Sequence, residues 1–120
     1  MLINAAVFRK AHAPLTVEAV EIDKPGGREV LVRTAATGVC HSDLHVVDGL
    51  THQNVNQPMV LGHEGSGVVE AVGPDVTTVR PGEHIVACLS GFCGNCKQCL
   101  SGHPNLCTAG FVARPRAGVD

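Results

Sequence analysis

Four cysteines within fifteen residues constrain this chain more than any other feature: Cys93, Cys96, Cys99 and Cys107 follow the spacing C-x2-C-x2-C-x7-C. Two-residue gaps let neighbouring sulfurs turn to one side, and the longer return brings in a fourth, so a closed tetrahedral shell of thiolates around zinc is expected. Such a shell keeps no open position, and its role is structural. A loop with so little apolar content buries too little surface to hold itself together, so the metal should supply much of its local folding energy. Disulfides and an iron–sulfur cluster are the competing readings. Ferredoxin-type runs place the fourth cysteine three residues on and follow it with proline, whereas here the gap is seven and Thr108 follows. Cys88 stands five residues before this group at the end of an apolar stretch and reads as a small buried hydrophobe outside the site.

Length and composition narrow the remaining possibilities. A chain of 120 residues, 44% hydrophobic and 17% charged, fits one globular domain with a modest core. Net charge is −2, the nine Lys and Arg are scattered, and the three aromatic residues are Phe8, Phe92 and Phe111. Neither a basic stripe nor a base-stacking platform is present, so nucleic acid is excluded as a partner. No apolar run approaches the ~20 residues needed to cross a bilayer, which excludes a membrane-spanning role. The apolar start is short and broken by Arg9 and Lys10, unlike a signal peptide. A cytoplasmic location is expected, and in a reducing compartment six cysteines point to ligands before disulfides.

The local pattern is mostly β. Segments 15–22 and 29–36 carry β-branched residues in partial alternation around Pro25-Gly26-Gly27, which predicts an antiparallel pair. Segments 67–72 and 83–89 are bounded by Gly73-Pro74-Asp75 and Pro81-Gly82 and predict two more strands. Residues 41–50 predict a short helix with Ser42 or Asp43 as N-cap and Gly49 as its stop. Short strands without alternating long helices suggest a small barrel or sandwich.

A second group of metal-ligand types lies at the ends of these strands: Cys40-His41-Ser42-Asp43-Leu44-His45, and Gly62-His63-Glu64. Catalytic zinc takes three protein ligands and leaves one position open; Cys40 and His63 would supply two, and no third is evident. On spacing alone, ordinary core and surface residues and a helix cap explain these positions better than a metal site does.

The residues Gly62-His63-Glu64-Gly65-Ser66-Gly67, followed by Gly73 and Val76, match the signature G-H-E-x2-G-x5-G-x2-[small or aliphatic] of the zinc-containing, medium-chain alcohol dehydrogenases. With Gly38-Val39-Cys40-His41-Ser42-Asp43 and the four-cysteine lobe, the chain resembles that family over nearly its whole length and in the family's order. The resemblance implies a mainly β, GroES-like, partly open barrel across residues 1–120, with a structural-zinc lobe at 88–110. It implies Cys40 and His63 as catalytic-zinc ligands, Glu64 beside the metal or as an occasional ligand, and Asp43 orienting His63. Ser42 matches the hydroxyl that takes the substrate proton, His45 the histidine that passes it towards solvent, and His41 the position near the cofactor pyrophosphate. The implied reaction is reversible oxidation of a small-molecule alcohol to an aldehyde or ketone, with zinc as Lewis acid and NAD or NADP as hydride acceptor.

Family members continue into a Rossmann cofactor domain, and the resemblance places a third catalytic-zinc ligand, a cysteine, beyond Asp120. Gly65-Ser66-Gly67 looks like the start of a dinucleotide fingerprint, but Glu70 holds the place of its third glycine. The chain is therefore expected to be truncated before the Rossmann domain and inactive alone, its longer form being a homo-oligomeric enzyme. The alternative is a non-catalytic zinc-binding or interaction module derived from the family, for which the retained Cys40, Ser42, Asp43, His45 and His63 would have no use.

Overall fold

The computed structural model describes residues 1–50 and 58–109. Its elements, in order, are strands β1 (Leu2–Phe8), β2 (Thr16–Glu21) and β3 (Val30–Thr37), helix α1 (His41–Val47), and strands β4 (Met59–Val60), β5 (Gly65–Val72) and β6 (His84–Val86). Helix α2 (Lys97–Leu100) and a 3-10 turn (Pro104–Leu106) follow. The strands form two open antiparallel sheets of order β2-β1-β4 and β3-β5-β6. The fold is mainly β, with short helices and open sheets, as a partly open GroES-like barrel requires.

The described core is small. Val7 and Phe8 of β1, Val20 of β2 and Val69 of β5 are its buried hydrophobic residues. Val7 faces Thr16 on one side and Val60 on the other, so the end of β1 is flanked where the buried pair sits. The β1–β2 loop is braced by a forked contact from Arg9 to Glu18 at 2.6 and 3.0 Å. That hydrogen bond, helped by the Thr16 hydroxyl, holds the half-buried Glu18 carboxyl down at about 2.

The expected antiparallel pair of segments 15–22 and 29–36 does not form. Both are strands, but β2 pairs with β1, and β3 with β5. The cause lies in the connection, whose backbone is engaged elsewhere: Gly73 donates to the Glu29 carbonyl at 2.8 Å and Asp75 to the Gly27 carbonyl at 3.0 Å. A Cβ on Gly73 would collide with the Gly26 and Gly27 carbonyls, so Pro25-Gly26-Gly27 serves as a docking surface for the turn after β5 instead of a hairpin turn. Strand β1, not among the expected strands, takes the place beside β2.

The β3–β5 ladder sets up everything beyond it. Its register runs from Val30↔Val72 to Thr37↔Gly65 with two irregularities. The first leaves Glu70 unmatched on β5, and the second leaves Ala35 unmatched on β3, so the second shift undoes the first. Gly67 sits between them, where the strands approach so closely that a Cβ would strike the Arg33 carbonyl and lie 2.8 Å from Val32 Cγ1. The bulged Glu70 carboxylate reaches back to Arg33 Nε at 3.1 Å. Gly65-Ser66-Gly67 lies within this strand and not at a strand-to-helix turn, which fits its exclusion as a dinucleotide fingerprint.

Strand β6 is shorter than segment 83–89 suggests. One further bond, Ala87 N–H to the Gly65 carbonyl at 2.7 Å, closes the ladder before the chain departs towards the cysteine loop. Cys88 lies past that point and is exposed, so it is not the buried hydrophobe that the apolar run suggests. Gly67→Ala should lower the unfolding free energy by about 1–3 kcal/mol, because the obstacle is backbone that cannot swing away. Gly65→Ala, which meets nothing within 4 Å, should leave stability nearly unchanged in the same denaturant titration.

Candidate functional site

The ladder register brings the two halves of one site together. Because Thr37 pairs with Gly65, Cys40 lies three residues past the end of β3 and His63 and Glu64 lie just ahead of β5, at the same sheet end. One more bond extends the pairing beyond the strands, from Gly38 N–H to the Glu64 carbonyl at 2.9 Å. Gly62, at φ 115°, turns the chain between β4 and this corner in a conformation that other residues resist. Cys40 Sγ, a ring nitrogen of His63 and a carboxylate oxygen of Glu64 thereby fall within 4.8 Å of one another.

Helix α1 starts one residue after the first of these donors. Its N-cap is Cys40 itself, and not Ser42 or Asp43 as the sequence suggests. Asp43 instead occupies the third helical position, from which Oδ2 accepts the Cys40 N–H at 3.1 Å. Its other oxygen, Oδ1, lies 3.5 Å from His63 Nδ1. One carboxylate thus caps the helix and lies against the Nδ1 side of the imidazole, an arrangement that favours a proton on Nδ1 and leaves Nε2 for a ligand. Ser42 Oγ lies 3.4 Å from that Nε2. The far end of α1 is pinned as well: His12, at φ 61°, donates its N–H to the Val47 carbonyl at 2.8 Å.

The electrostatics couple Cys40 to His63. The Cys40 thiol is lowered from its usual range by donors from the Ser42 hydroxyl and backbone, with the His63 ring adding to them. His63 is raised, chiefly by its hydrogen bond with Cys40 and then by the Asp43 carboxylate. Both shifts favour charged groups facing each other across a short gap. His41 and His45, one helical turn apart, pack ring to ring with centroids 4.6 Å apart and an interplanar angle of 79°. Among the described residues no hydrogen bond joins His45 to Ser42.

The four-cysteine lobe is a second, closed cluster. Cys96 caps α2, Cys99 lies within it, Cys107 ends the 3-10 turn, and Cys93 precedes a turn through Gly94 at φ 77°. All six cysteines are free thiols. The four sulfurs lie within 4.8 Å of one another, with Cys93–Cys99 at 3.9 Å, Cys96–Cys99 at 3.5 Å and Cys96–Cys107 at 3.9 Å. Four thiolates ~2.3 Å from one zinc form a tetrahedron with edges of about 3.8 Å, which the cluster matches. Backbone donors already serve the sulfurs: Cys93 N–H points to Cys107 Sγ at 3.4 Å and Cys96 N–H to Cys93 Sγ at 3.3 Å. Backbone N–H groups pull Cys96 down to about 5 and lower Cys107, while desolvation and the neighbouring sulfurs push Cys99 up to about 11. So close a cluster ionises fully only around a cation. No residue of α2 or the 3-10 turn is buried.

The sequence profile of the alcohol dehydrogenase GroES-like domain matches residues 26–119. The chain belongs to that family. It is 46% identical over 110 residues to the NDMA-dependent alcohol dehydrogenase of Amycolatopsis methanolica, covering 92% of this chain and 29% of that protein. It is 52% identical over 104 residues to the geraniol dehydrogenase of Castellaniella defragrans, covering 87% of this chain and 27% of that protein. Among solved structures, the alcohol dehydrogenase zinc-binding domain protein of Burkholderia ambifaria superposes with a TM-score of 0.80 at 47% identity, over 90% of this chain and 28% of that one. The chain therefore spans less than a third of the length of these relatives.

Against the family's implied site, the structure brings together Cys40, Ser42, Asp43, His63 and Glu64 in one cluster and places His41 and His45 beside it on α1. The anchoring contact of His12 with α1 has no counterpart in the sequence reading, since nothing in Lys10-Ala11-His12-Ala13 marks a left-handed residue. For the lobe, stripping metal with a chelator should increase amide exchange across residues 93–107 by orders of magnitude while β1, β2, β3 and β5 stay protected. One equivalent of zinc should reverse the change. Hydrogen exchange read by mass spectrometry checks this.

Proposed function

We propose that this chain is the N-terminal catalytic part of a zinc-dependent, NAD- or NADP-linked alcohol dehydrogenase that reversibly oxidises an alcohol to an aldehyde or ketone. The observation that carries this reading is the convergence of Cys40, His63 and Glu64 with the Ser42 hydroxyl beside them. Dehydrogenase activity in the names of the relatives supports it. Residues 1–120 are read as an incomplete GroES-like domain, with the lobe at 88–110 holding a structural zinc on Cys93, Cys96, Cys99 and Cys107.

The donor set around Cys40 fits a catalytic zinc: one thiol lowered towards thiolate, one imidazole nitrogen and one carboxylate, with the Glu64 side exposed to an incoming ligand. A zinc bound there supplies Lewis acidity that lowers the pKa of a substrate alcohol. The protein's own groups handle orientation and the proton. Asp43 keeps His63 in the tautomer whose Nε2 is free to bind. Ser42 takes the alcohol proton, and His45, one turn on along α1, hands it to solvent. His41, on the same helix, would meet the pyrophosphate of a bound nicotinamide cofactor. A nicotinamide cofactor, when bound, would supply the acceptor for the hydride of the carbinol carbon. The longer form is read as a homo-oligomer acting on small-molecule alcohols and aldehydes, with neither nucleic acid nor membrane as a partner. Among the described residues no helix is long and apolar enough to cross a membrane.

Two outcomes test the reading. The purified 120-residue chain, free of host enzymes, should bind zinc at both clusters yet reduce no NAD or NADP with any simple alcohol. Turnover by that chain would sink the proposal. In a protein extended through a cofactor-binding domain, Ser42→Ala should cut kcat by about 10²–10⁴-fold with zinc content unchanged. An unaffected kcat would remove Ser42 from the proton path.

A further inference from the structure

Gly38 stands out among the glycines of the site because its backbone does not need to be glycine. Its φ lies outside the left-handed region occupied by Gly62 and Gly49, so any conformational argument for it fails. Its surroundings, however, leave no room for a side chain. A Cβ built on Gly38 would run into Glu64 Oε2 and come within 3.2 Å of Glu64 Cβ and 3.3 Å of Glu64 Cδ. The Glu64 side chain therefore lies flat across the face of Gly38. The peptide beneath it is tied to the same residue through the bond from Gly38 N–H to the Glu64 carbonyl. That carboxylate is the one within 4.8 Å of Cys40 and His63.

We infer that Gly38 is a positioning residue for the metal centre: its bare Cα is the floor on which the Glu64 carboxylate rests to reach Cys40 and His63. The inference rests on the reading of Cys40, His63 and Glu64 as a metal site. Any side chain at position 38 lifts the carboxylate off that floor and turns a three-donor set into a two-donor set, while Cys40, Asp43 and His63 keep their mutual contacts. Gly38 acts only through Glu64, and that separates it from a merely structural glycine. Structural damage would weaken metal binding whether or not the carboxylate is present. Lost floor space would matter only while it is.

The experiment is a double-mutant cycle read by cobalt affinity. The chain and its variants Gly38→Ala, Glu64→Ala and Gly38→Ala/Glu64→Ala are each loaded with one zinc equivalent to fill the closed lobe, then titrated with Co²⁺ and followed by visible absorption. Gly38→Ala and Glu64→Ala should each weaken the second site by about 10–100-fold. The double variant should bind no more weakly than Glu64→Ala, since the remaining Glu64 Cβ at 3.2 Å needs to shift only a few tenths of an ångström. Additive losses in the double variant, or a Gly38→Ala chain that binds like the parent, would overturn the role of Gly38 alone. A parent chain that takes up no second cobalt would overturn the metal-site reading and this inference with it. Unchanged far-ultraviolet circular dichroism and one retained zinc per chain in Gly38→Ala exclude misfolding as the cause of its loss.

Discussion

The pairing of Thr37 with Gly65 is the contact on which the candidate centre depends. Cys40 and His63 are 23 positions apart in sequence, and no local preference of either segment would bring them together. The ladder does so, and only in this register. A slip of one residue would exchange the faces of the strand and carry Glu64 and His63 away from Cys40. The two opposed irregularities explain how a strongly twisted pair keeps that register: the extra residue at Glu70 bends one strand, the extra residue at Ala35 bends the other, and the ends meet as though neither were there. Gly67 is the cost of that bend, since only a bare Cα lets the backbones approach so closely.

The two clusters are held in opposite ways. Around Cys40 the backbone is fixed independently of any ion: β3 and β5 hold one side, the Asp43 cap holds the start of α1, and His12 holds its end. Such a corner can stay formed with or without an ion, and that suits the open site proposed for it. Among the described residues the lobe has no comparable support. Phe92, Leu100 and Leu106 are all more than half exposed, and the described contacts of its short helices are local hydrogen bonds and sulfur contacts. Its order is therefore tied to whatever neutralises four close sulfurs.

This contrast also explains what could be read from the residues alone. The lobe was legible because its spacing encodes its own convergence within fifteen residues. The Cys40 group was ambiguous because its geometry is a product of register, which spacing does not carry; the signature glycines mark it only once their reasons are seen. Gly62 turns the chain, Gly67 admits a backbone, and Gly73 rests on the carbonyls of Gly26 and Gly27. Strands β2, β3, β5 and a shorter β6 lie where the residues suggest, but the expected pairing of β2 with β3 does not form, because Pro25-Gly26-Gly27 has the composition of a turn and the job of a docking surface. Cys88 misled for a similar reason: an apolar run was read as strand to its end, whereas the ladder stops before it.

Charge separates the chemistry open to each cluster. A divalent ion among four thiolates carries a net charge of about −2 and has every position filled, so it has neither the room nor the electron deficiency to polarise an alcohol. The backbone N–H groups aimed at Cys93 and Cys107 drain some of that negative charge and make the closed shell tolerable. A divalent ion among the Cys40 thiolate, neutral His63 and the Glu64 carboxylate is neutral overall and keeps a position open. Asp43 does not upset that balance, because its charge is spent on the Cys40 N–H and the His63 ring. On the proposed reading, the chain sets a site that can only hold metal and a site that can also use it at two separate places, and the difference follows from one carboxylate and one imidazole standing where the lobe has sulfur.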